Sequence, residues 1–383
     1  MKYRFLTAGE SHGKKLTAII ENIPANFPID IEFINNELAR RQAGYGRGAR
    51  MKIENDKVEI TSGIRFGKTI GSPVSLEITN KDYEKWQKIM SVEPLNDNDL
   101  NEVDLREIKN VRPGHADFAG AMKFNQADVR NILEHSSARE TAIKVAVGAL
   151  AKQMLAEFGI NIVSKVIGIG SVLAENINGD FNNDLNCPNE EIYNKMKAEI
   201  DAASEKGVSL GGLIRLEINN LPIGLGSYAN WDKKLDGLLA QALMSIQAVK
   251  SVEIGLGKDV AFLTGDKVHD EIFYEEGNIV RRTNNAGGIE GGMSNGEQVV
   301  ITIAMKPIPT MRTSLNSINI EDKSNHQAHF ERCDTCAVPS CGVVAESMCA
   351  IIILQQFLEK FGGDSLEEIT SNFKNYLEMI SKR

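Results

Sequence analysis

Four short segments of this 383-residue chain recur in the same order about 200 residues further on. They pair as "ENIPANFPI" (21–29) with "NNLPIGLG" (219–226), "VEITSG" (58–63) with "VEIGLG" (252–257), "GIRFGKTIGSPVSLEI" (63–78) with "GIEGGMSNGEQVVITI" (288–303), and "AKQMLAEFG" (151–159) with "LQQFLEKFG" (354–362). The preserved order indicates two related halves. The alternative is a chance match among short strings of Gly, Val and Ile.

Each half is expected to form a βαββ-like unit closed by a long helix. The alternation in "KVEITSGI" predicts strands, whereas "ETAIKVAVGALAKQMLAEF" and "VVAESMCAIIILQQFLEKF" have apolar residues at helical spacing on nearly every side. Such helices belong inside a layered core, so the fold class is α+β. We expect one domain over 1–383, with pseudo-repeat halves at roughly 1–160 and 207–383. The stretch 160–206 is interpreted as an insertion of one strand, a polar loop and one helix.

Composition excludes several classes of protein. No run of ~18 apolar residues is present, so we expect no membrane span, and the N-terminus lacks an export signal. Five cysteines, four of them within 333–349, argue against a disulfide framework and for a cytoplasmic protein. A net charge of −9 disfavours sequence-independent binding of nucleic acid.

Arginine is unevenly distributed along the chain. Nine arginines lie between Arg40 and Arg139, but only Arg215 lies between residues 140 and 280. Guanidinium groups bind phosphate and carboxylate in a forked geometry, so this asymmetry predicts a pocket for a small polyanion. For any single arginine, an ordinary surface ion pair is the alternative.

The stretch "GESHG" (9–13) fits the Gly-x-Ser-x-Gly pattern of a hydrolase nucleophile. Chain order would allow Asp322 and His326 to complete a triad with Ser11. However, an elbow needs an earlier strand for its oxyanion hole and a following helix, and "KKLTAIIENIP" alternates as a strand does. We therefore expect the glycines to form a sharp turn that presents Ser11 and His12 at a strand end.

Two further segments have the residue types of acid–base and anion chemistry. "RPGHADFAG" (112–120) places His115 on a Pro-Gly loop, where it is a candidate acid or base, or a structural histidine bonded to a backbone carbonyl. "HSSARETA" (135–142) sets Ser136 and Ser137 ahead of a long helix that we expect to begin near Arg139. With Arg130, this is a candidate anion site, and a Ser137–Glu140 capping box is compatible with it.

The segment "RRQAGYGRGARM" (40–51) packs four arginines around three glycines. It is interpreted as a mobile lid over an anion, with a solvated basic loop as the alternative. "MKPIPT" (305–310) has an extended backbone from which Lys306 and Thr310 could bind phosphate.

The cluster "HQAHFERCDTC" (326–336) has a spacing that could bind zinc. Zinc ligand pairs usually come from two elements separated by a longer spacer, so we expect no metal. Asp334, between Arg332 and the thiols of this cluster, is the more interesting residue.

Together these segments resemble the chorismate synthase family over essentially the whole chain. The motifs that carry the resemblance are, in order, "GESHG", "RRQAGYGRGARM", "RPGHAD", "SSARETA", "QALMSIQAVK", "NNAGGIEGGMSNG", "MKPIPT" and "RCDTCAVP". Two features depart from the family pattern. Residue 135 is often arginine and is His135 here, and the stretch before Asp128 is "KFNQA", where many members have a Tyr-Gly-His-like string.

The resemblance implies an internally duplicated β-α-β sandwich, with helices packed between antiparallel sheets, that assembles as a homotetramer. It implies an anti-1,4-elimination of phosphate from 5-enolpyruvylshikimate 3-phosphate, with reduced FMN as cofactor and no net redox change. NADPH would be an indirect reductant, acting through an external source of reduced flavin. A second possibility is a module that binds FMN or an anion without turnover.

Site residues also transfer from the family by position. The substrate-binding positions are Ser11, Arg41, Arg47, Arg50, Arg112, Arg130 and Arg139, of which Arg41 and Arg47 are alternatively assigned to NADP. The cofactor-binding positions are His135, Ser136, Ser137, Gln247, Ala248, Gly291, Lys306, Pro307, Ile308, Pro309, Thr310 and Arg332. His12, His115 and Asp334 match the catalytic residues: His12 would protonate the leaving phosphate, His115 would lie beside the flavin pyrimidine, and Asp334 would pair with flavin N5.

Overall fold

The computed structural model describes residues 3–48, 55–95, 106–179, 182–331 and 334–382. Two predicted site residues, Arg50 and Arg332, lie outside these described residues. The strands are β1 (Arg4–Ala8), β2 (Lys15–Glu21), β3 (Val58–Ser62), β4 (Ile64–Arg65), β5 (Lys68–Thr69), β6 (Val74–Thr79), β7 (Asn161–Ile169), β8 (Val172–Leu173), β9 (Gly212–Asn219), β10 (Val249–Ile254), β11 (Ile272–Glu275), β12 (Asn278–Arg281), β13 (Ile289–Glu290), β14 (Met293–Ser294), β15 (Val299–Met305), β16 (Asn316–Ile318) and β17 (Asn325–Gln327).

Helices lie between groups of strands along the chain. They are α1 (Ile31–Gln42), α2 (Asp117–Phe124), α3 (Arg130–Ser136), α4 (Thr141–Ala156), α5 (Glu190–Lys206), α6 (Leu235–Met244), α7 (Gly265–Val268), α8 (Val338–Phe361) and α9 (Leu366–Ser381). Short 3₁₀ turns cover Lys81–Lys85, Ala138–Glu140, Trp231–Lys233 and Gly257–Phe262.

Two antiparallel sheets form the outer layers of the main core. The first has the order β1-β2-β6-β3 and the second the order β10-β15-β9-β7-β8. Their strands bury alternate residues, as with Leu16, Ala18 and Ile20 on β2, so one face of each sheet packs inward. This mixture of helices with antiparallel sheets is the predicted α+β class.

The helices α4 and α8 pack against each other between the sheets. α4 also contacts β2 and β6 of the first sheet, and α8 contacts β7 and β9 of the second. The two backbones approach closely at Gly148, where a Cβ atom would lie 2.3 Å from the Ser347 Cβ. Because both helices face packed layers on several sides, nearly all of their residues are buried, as the sequence pattern predicts.

The expectation of no membrane span rested on uninterrupted apolar runs, and α8 is a long apolar helix that this criterion does not detect. This helix has 24 residues with a mean hydropathy of 1.7 in its most apolar window, so by length and composition it would suffice to cross a membrane. A search for uninterrupted apolar runs misses it, because Ser, Gly and Glu346 interrupt the pattern. In the structure 83% of that window is buried inside the protein, as in the core helix of a layered fold.

The repeated segments occupy equivalent places in the two sheets. The first sheet has the spatial order β1-β2-β6-β3, and the second, leaving out β8, has the order β7-β9-β15-β10. In both sheets the strand that is fourth along the chain therefore lies between the second and the third. The segments 63–78 and 288–303 each form a short hairpin that leads into the fourth strand. Within the predicted insertion, β7 is an interior strand between β8 and β9. The duplication itself stays a prediction.

Candidate active site

Loops and helix ends from both halves of the chain surround a cavity of about 960 Å³. It brings together segments that lie hundreds of residues apart in sequence. The predicted site residues that line it are Ser11, Arg41, Arg47, Arg112, His115, His135, Ser136, Ser137, Arg139, Gln247, Ala248, Lys306, Ile308, Pro309, Thr310 and Asp334. Four predicted residues in the described part of the chain are not in this lining: His12, Arg130, Gly291 and Pro307.

Arg41 and Arg139 share one carboxylate at the base of the cavity. The Asp56 Oδ2 lies 2.7 Å from an Arg139 nitrogen and 3.4 Å from the Arg41 Nη2. Burial lowers the pKa of Arg41 to about 10; Asp56 opposes this shift, whereas Arg139 and Arg47 add to it. The Arg41 Nε and the Asp56 Oδ1 are buried and find no hydrogen-bond partner among the described residues. Two guanidiniums on a shared carboxylate are of the residue type that binds anions.

Arg47 and Asp334 meet on another wall. The Arg47 Nη1 lies 3.3 Å from the Asp334 Oδ2 and donates to the Ser340 hydroxyl at 2.6 Å. The backbone N–H of Gly48 donates to the other Asp334 oxygen at 2.6 Å. Burial lowers the pKa of Arg47. The Asp334 side chain thus has a defined orientation.

The predicted lid differs from the structure. Arg40 and Arg41 belong to the last turn of α1 rather than to a loop, and Arg40, itself 44% exposed, binds the buried Glu346. The side chains of Arg41 and Arg47 are 4% and 10% exposed, so these two arginines do not form a solvated basic loop.

His115 belongs to an Arg–Asp–His arrangement. Arg112 donates two hydrogen bonds to the Asp117 carboxylate, at 2.7 and 3.0 Å, and His115 Nδ1 contacts the same carboxylate. Burial raises the pKa of Asp117, but the bonds from His115 and Arg112 outweigh it and hold that pKa well below its usual range. Because an ionised carboxylate only accepts, this contact favours the tautomer with the proton on Nδ1, although the Arg112 Nη2 also lies 3.1 Å from that nitrogen.

His12 is held in the same way by different residues. Its Nδ1 lies 2.8 and 3.0 Å from the two Glu134 oxygens, and its backbone N–H donates to Glu134 at 2.8 Å. Arg130 binds that carboxylate at 3.2 Å, donates to the Arg106 carbonyl at 2.7 Å and lies 3.8 Å from Glu331. These bonds explain why Arg130 stands behind the cavity wall rather than on it.

The helix start after Ser137 also differs from the prediction. α3 ends at Ser136, and Ser137 caps a 3₁₀ turn by accepting from the Arg139 N–H at 3.3 Å, so α4 begins only at Thr141. The Glu140 side chain accepts from Gln247 and pairs with Lys144, so it does not complete a capping box with Ser137.

Three carboxylates were missed by sequence reasoning: Asp56, Asp117 and Glu134. Asp117 and Glu134 lie beside residues that the motifs do identify, His115 and His135, and a clustered set of arginines itself calls for nearby carboxylates. Asp56 follows a segment outside the described residues and has no motif, so no local signal identifies it.

The structure describes some of the residues of the two alternative chemistries, a metal site and a hydrolase triad. Among the described residues no group of three or more His, Cys, Asp and Glu side chains is placed to bind a metal. Cys333 of the "HQAHFERCDTC" cluster lies outside that set. In the candidate hydrolase triad, the carboxylate would be Asp322. It accepts hydrogen bonds from the Ser324 N–H and hydroxyl at 2.8 and 2.6 Å.

Comparison with known proteins gives a consistent result. The family model described as "Chorismate synthase" matches residues 3–358. A chorismate synthase of Alkaliphilus metalliredigens is 50% identical over 382 residues, covering 98% of this chain and 99% of the relative. One of Thermoanaerobacter pseudethanolicus is 52% identical over 378 residues, with the same coverage. A crystal structure of chorismate synthase superposes with a TM-score of 0.80 and 41% identity, over 100% of this chain and 99% of that one.

Proposed function

The chain belongs to the chorismate synthase family and is thus a lyase of the shikimate pathway; from this premise we propose the reaction and the roles of its residues. The reaction is the anti-1,4-elimination of phosphate from 5-enolpyruvylshikimate 3-phosphate, which gives chorismate. Reduced FMN is the cofactor, and there is no net redox change.

The observation that carries this proposal is the group of guanidiniums on the cavity wall. Arg41, Arg47, Arg112 and Arg139 all line the cavity, and Arg41 and Arg139 share the Asp56 carboxylate. A substrate with one phosphate and two carboxylates carries the opposite charge, and forked hydrogen bonds would fix its orientation. Arg50 is also proposed to bind substrate, and this assignment rests only on its position in the motif.

The cavity also fits a flavin beside that substrate. Its volume of about 960 Å³ lies at the upper end of ordinary ligand pockets. The Ser136 hydroxyl and the Gln247 carbonyl oxygen are buried without a hydrogen-bond partner among the described residues, so both can bind a polar ligand. We assign the cofactor to the wall that these residues form with His135, Ser137, Ala248 and 306–310. When bound, reduced FMN supplies the electron-rich ring that makes loss of the substrate's non-acidic hydrogen feasible.

The protein's own groups would manage the protons. His12 adjoins Ser11 of the cavity lining, and its Nδ1–H would donate to Glu134. The protonated imidazole would then donate its Nε2 proton to the leaving phosphate. Asp117 fixes His115 in the same way at the edge of the cavity. Asp334 is the carboxylate on the opposite wall, oriented by Arg47 and Gly48.

Three further features are part of the proposal and rest on the family. The enzyme acts in the cytoplasm as a homotetramer, and NADPH serves only as the indirect source of reducing equivalents. The chain consists of two related halves, which the shared strand order of the two sheets supports. On that basis β7 is the strand of the second half that corresponds to β1 of the first half. The inserted segment then consists only of β8, the polar loop and α5.

The test is anaerobic release of inorganic phosphate from 5-enolpyruvylshikimate 3-phosphate. We expect turnover with wild-type protein and reduced FMN, and none with oxidised FMN. A His12→Ala variant is expected to lose 10²- to 10⁴-fold in kcat, the usual worth of a positioned acid. No phosphate release by the wild type would refute the reaction, and full activity of the variant would refute the role of His12.

A further inference from the structure

The indole of Trp86 stacks on the imidazole of His12. The two ring centroids lie 3.8 Å apart, with the planes inclined by 22°. Trp86 is half-buried, whereas His12 is only 7% exposed. Trp86 belongs to none of the motifs that carry the family resemblance, so this contact is a property that the structure adds.

The fold brings Trp86 to His12 through Asn80, the residue that follows β6. The buried Asn80 amide donates to the carbonyls of Glu10 and Gly13, at 3.1 and 2.7 Å, and so holds both ends of the turn that carries His12. The 3₁₀ turn Lys81–Lys85 then reverses the chain, and the Trp86 N–H closes it by donating to Tyr83 at 2.8 Å. Asn80 therefore holds the turn that carries His12 and also begins the segment that leads to Trp86.

The charges around this pair also fix its geometry. Glu134 of α3 binds the His12 imidazole, and Arg130 of the same helix binds the Glu134 carboxylate. The guanidiniums of Arg106 and Arg130 lie 4.4 and 5.0 Å from the Trp86 ring, and the indole N–H donates to Asp82 at 3.3 Å. Cations favour the face of an indole, so Trp86 is itself held in place.

Glu134 alone does not define the plane of the imidazole. Bonds to Nδ1 hold one corner of the ring, about which the ring can still tilt. An indole packed on its face removes that freedom, and the remaining nitrogen, Nε2, then keeps one direction.

We propose that Trp86 is a positioning residue for His12, one that fixes the imidazole plane so that Nε2 meets the leaving phosphate in a constant orientation. The inference rests on the proposed function for its catalytic consequence, but not for the contact itself. A misplaced acid loses rate while the arginines still bind substrate, so the effect falls on kcat rather than on KM.

The kinetic test compares Trp86→Leu with Trp86→Phe, using Trp231→Phe as the matched control because Trp231 is 86% exposed. We expect Trp86→Leu to lower kcat about 10- to 100-fold with KM little changed, and Trp86→Phe to recover most of that loss because it retains an aromatic face. An unchanged kcat, or a loss confined to KM, would overturn the proposal. If Trp86→Leu does not fold, the kinetics of Trp86→Phe and the spectroscopic test determine whether Trp86 positions His12.

The spectroscopic test needs no turnover. The chain has two tryptophans, so the Trp231→Phe variant leaves Trp86 as the only indole. In that background, His12→Ala should change the emission intensity and maximum of Trp86, because a stacked imidazole quenches an indole. His269→Ala, at an exposed histidine, should not. Emission indifferent to His12 refutes the contact, whereas an inactive wild type with responsive emission refutes only the proposed reaction.

Discussion

Arg40 and Arg41 are neighbours on α1, yet they belong to opposite kinds of charge cluster. Arg40 binds Glu346 through two hydrogen bonds of 3.0 Å and Glu37 through one of 2.6 Å, and Lys152 contacts both carboxylates at 2.5 Å. We call these four residues the core cluster. Arg41, Arg139 and Asp56 form the cavity cluster, with two cations to one carboxylate.

The pKa shifts of the two arginines have opposite signs. For Arg40, burial lowers the pKa, but Glu346 and Glu37 outweigh it and raise the pKa above its ordinary value. For Arg41, burial dominates and the pKa falls to about 10. The core cluster thus pairs two cations with two carboxylates and stabilises the fold, whereas the cavity cluster places two cations on a shared carboxylate beside the cavity, where a ligand could bind.

The largest effect should come from breaking the core cluster. Glu346 is fully buried, and Glu346→Gln would leave Arg40 and Lys152 with Glu37 alone. We expect a loss of about 3–5 kcal/mol in the free energy of unfolding, measured by chemical denaturation. The matched control is Glu359→Gln on the same helix, whose pair with Lys233 is exposed and should matter little. Equal effects in the two variants would contradict the comparison.

The core cluster should also make stability depend on pH in acid. Burial raises the pKa of Glu346, but Lys152 and Arg40 outweigh it and lower that pKa from 4.5 to about 2. Because the folded-state pKa is depressed, the stabilisation is present above the ordinary value and is lost as pH falls from 4.5 towards 2. The loss is about 3 kcal/mol. Denaturation curves of the wild type and Glu346→Gln should converge in that window, and parallel curves would exclude this role.

Removing one charged side chain from the cavity cluster should lower activity rather than stability. With Arg41→Met, Arg139 still pairs with Asp56, and a buried charge is removed. We expect kcat/KM to fall about 100-fold, close to 3 kcal/mol of transition-state binding, with the unfolding free energy within about 1 kcal/mol of wild type. A stability loss as large as that of Glu346→Gln would show that Arg41 is structural after all.

The smallest effect is expected at the junction of α1 and α8. The Ser340 hydroxyl donates to the Arg41 carbonyl at 2.5 Å and accepts from Arg47 at 2.6 Å. Ser340→Ala removes one neutral and one charge-assisted hydrogen bond, so kcat/KM should fall a few-fold, about 1 kcal/mol, through looser placement of both arginines. Steady-state kinetics measure this, and Ser347→Ala, which removes a hydroxyl bonded within α8, is the matched control.

Much of the fold could be predicted from local sequence, and the family resemblance supplied the candidate site residues. The alternating segments became β3, β6, β10 and β15, and the two apolar segments became the buried helices α4 and α8. Sixteen of the assigned site residues line one cavity. The carboxylates Asp56, Asp117 and Glu134 were not predicted, because their role depends on which arginine or histidine the packed chain brings within hydrogen-bond distance.

The sequence by itself determined the strands, the buried helices, the family and the set of positive residues available for an anion. Those properties follow from periodicity and residue type, which act over a few positions. Only the tertiary structure decided that Arg40 neutralises Glu346 while Arg41 faces the cavity, and that Trp86 covers His12. Successive residues on a helix point about 100° apart, and what each direction meets is set by segments that are remote in the chain.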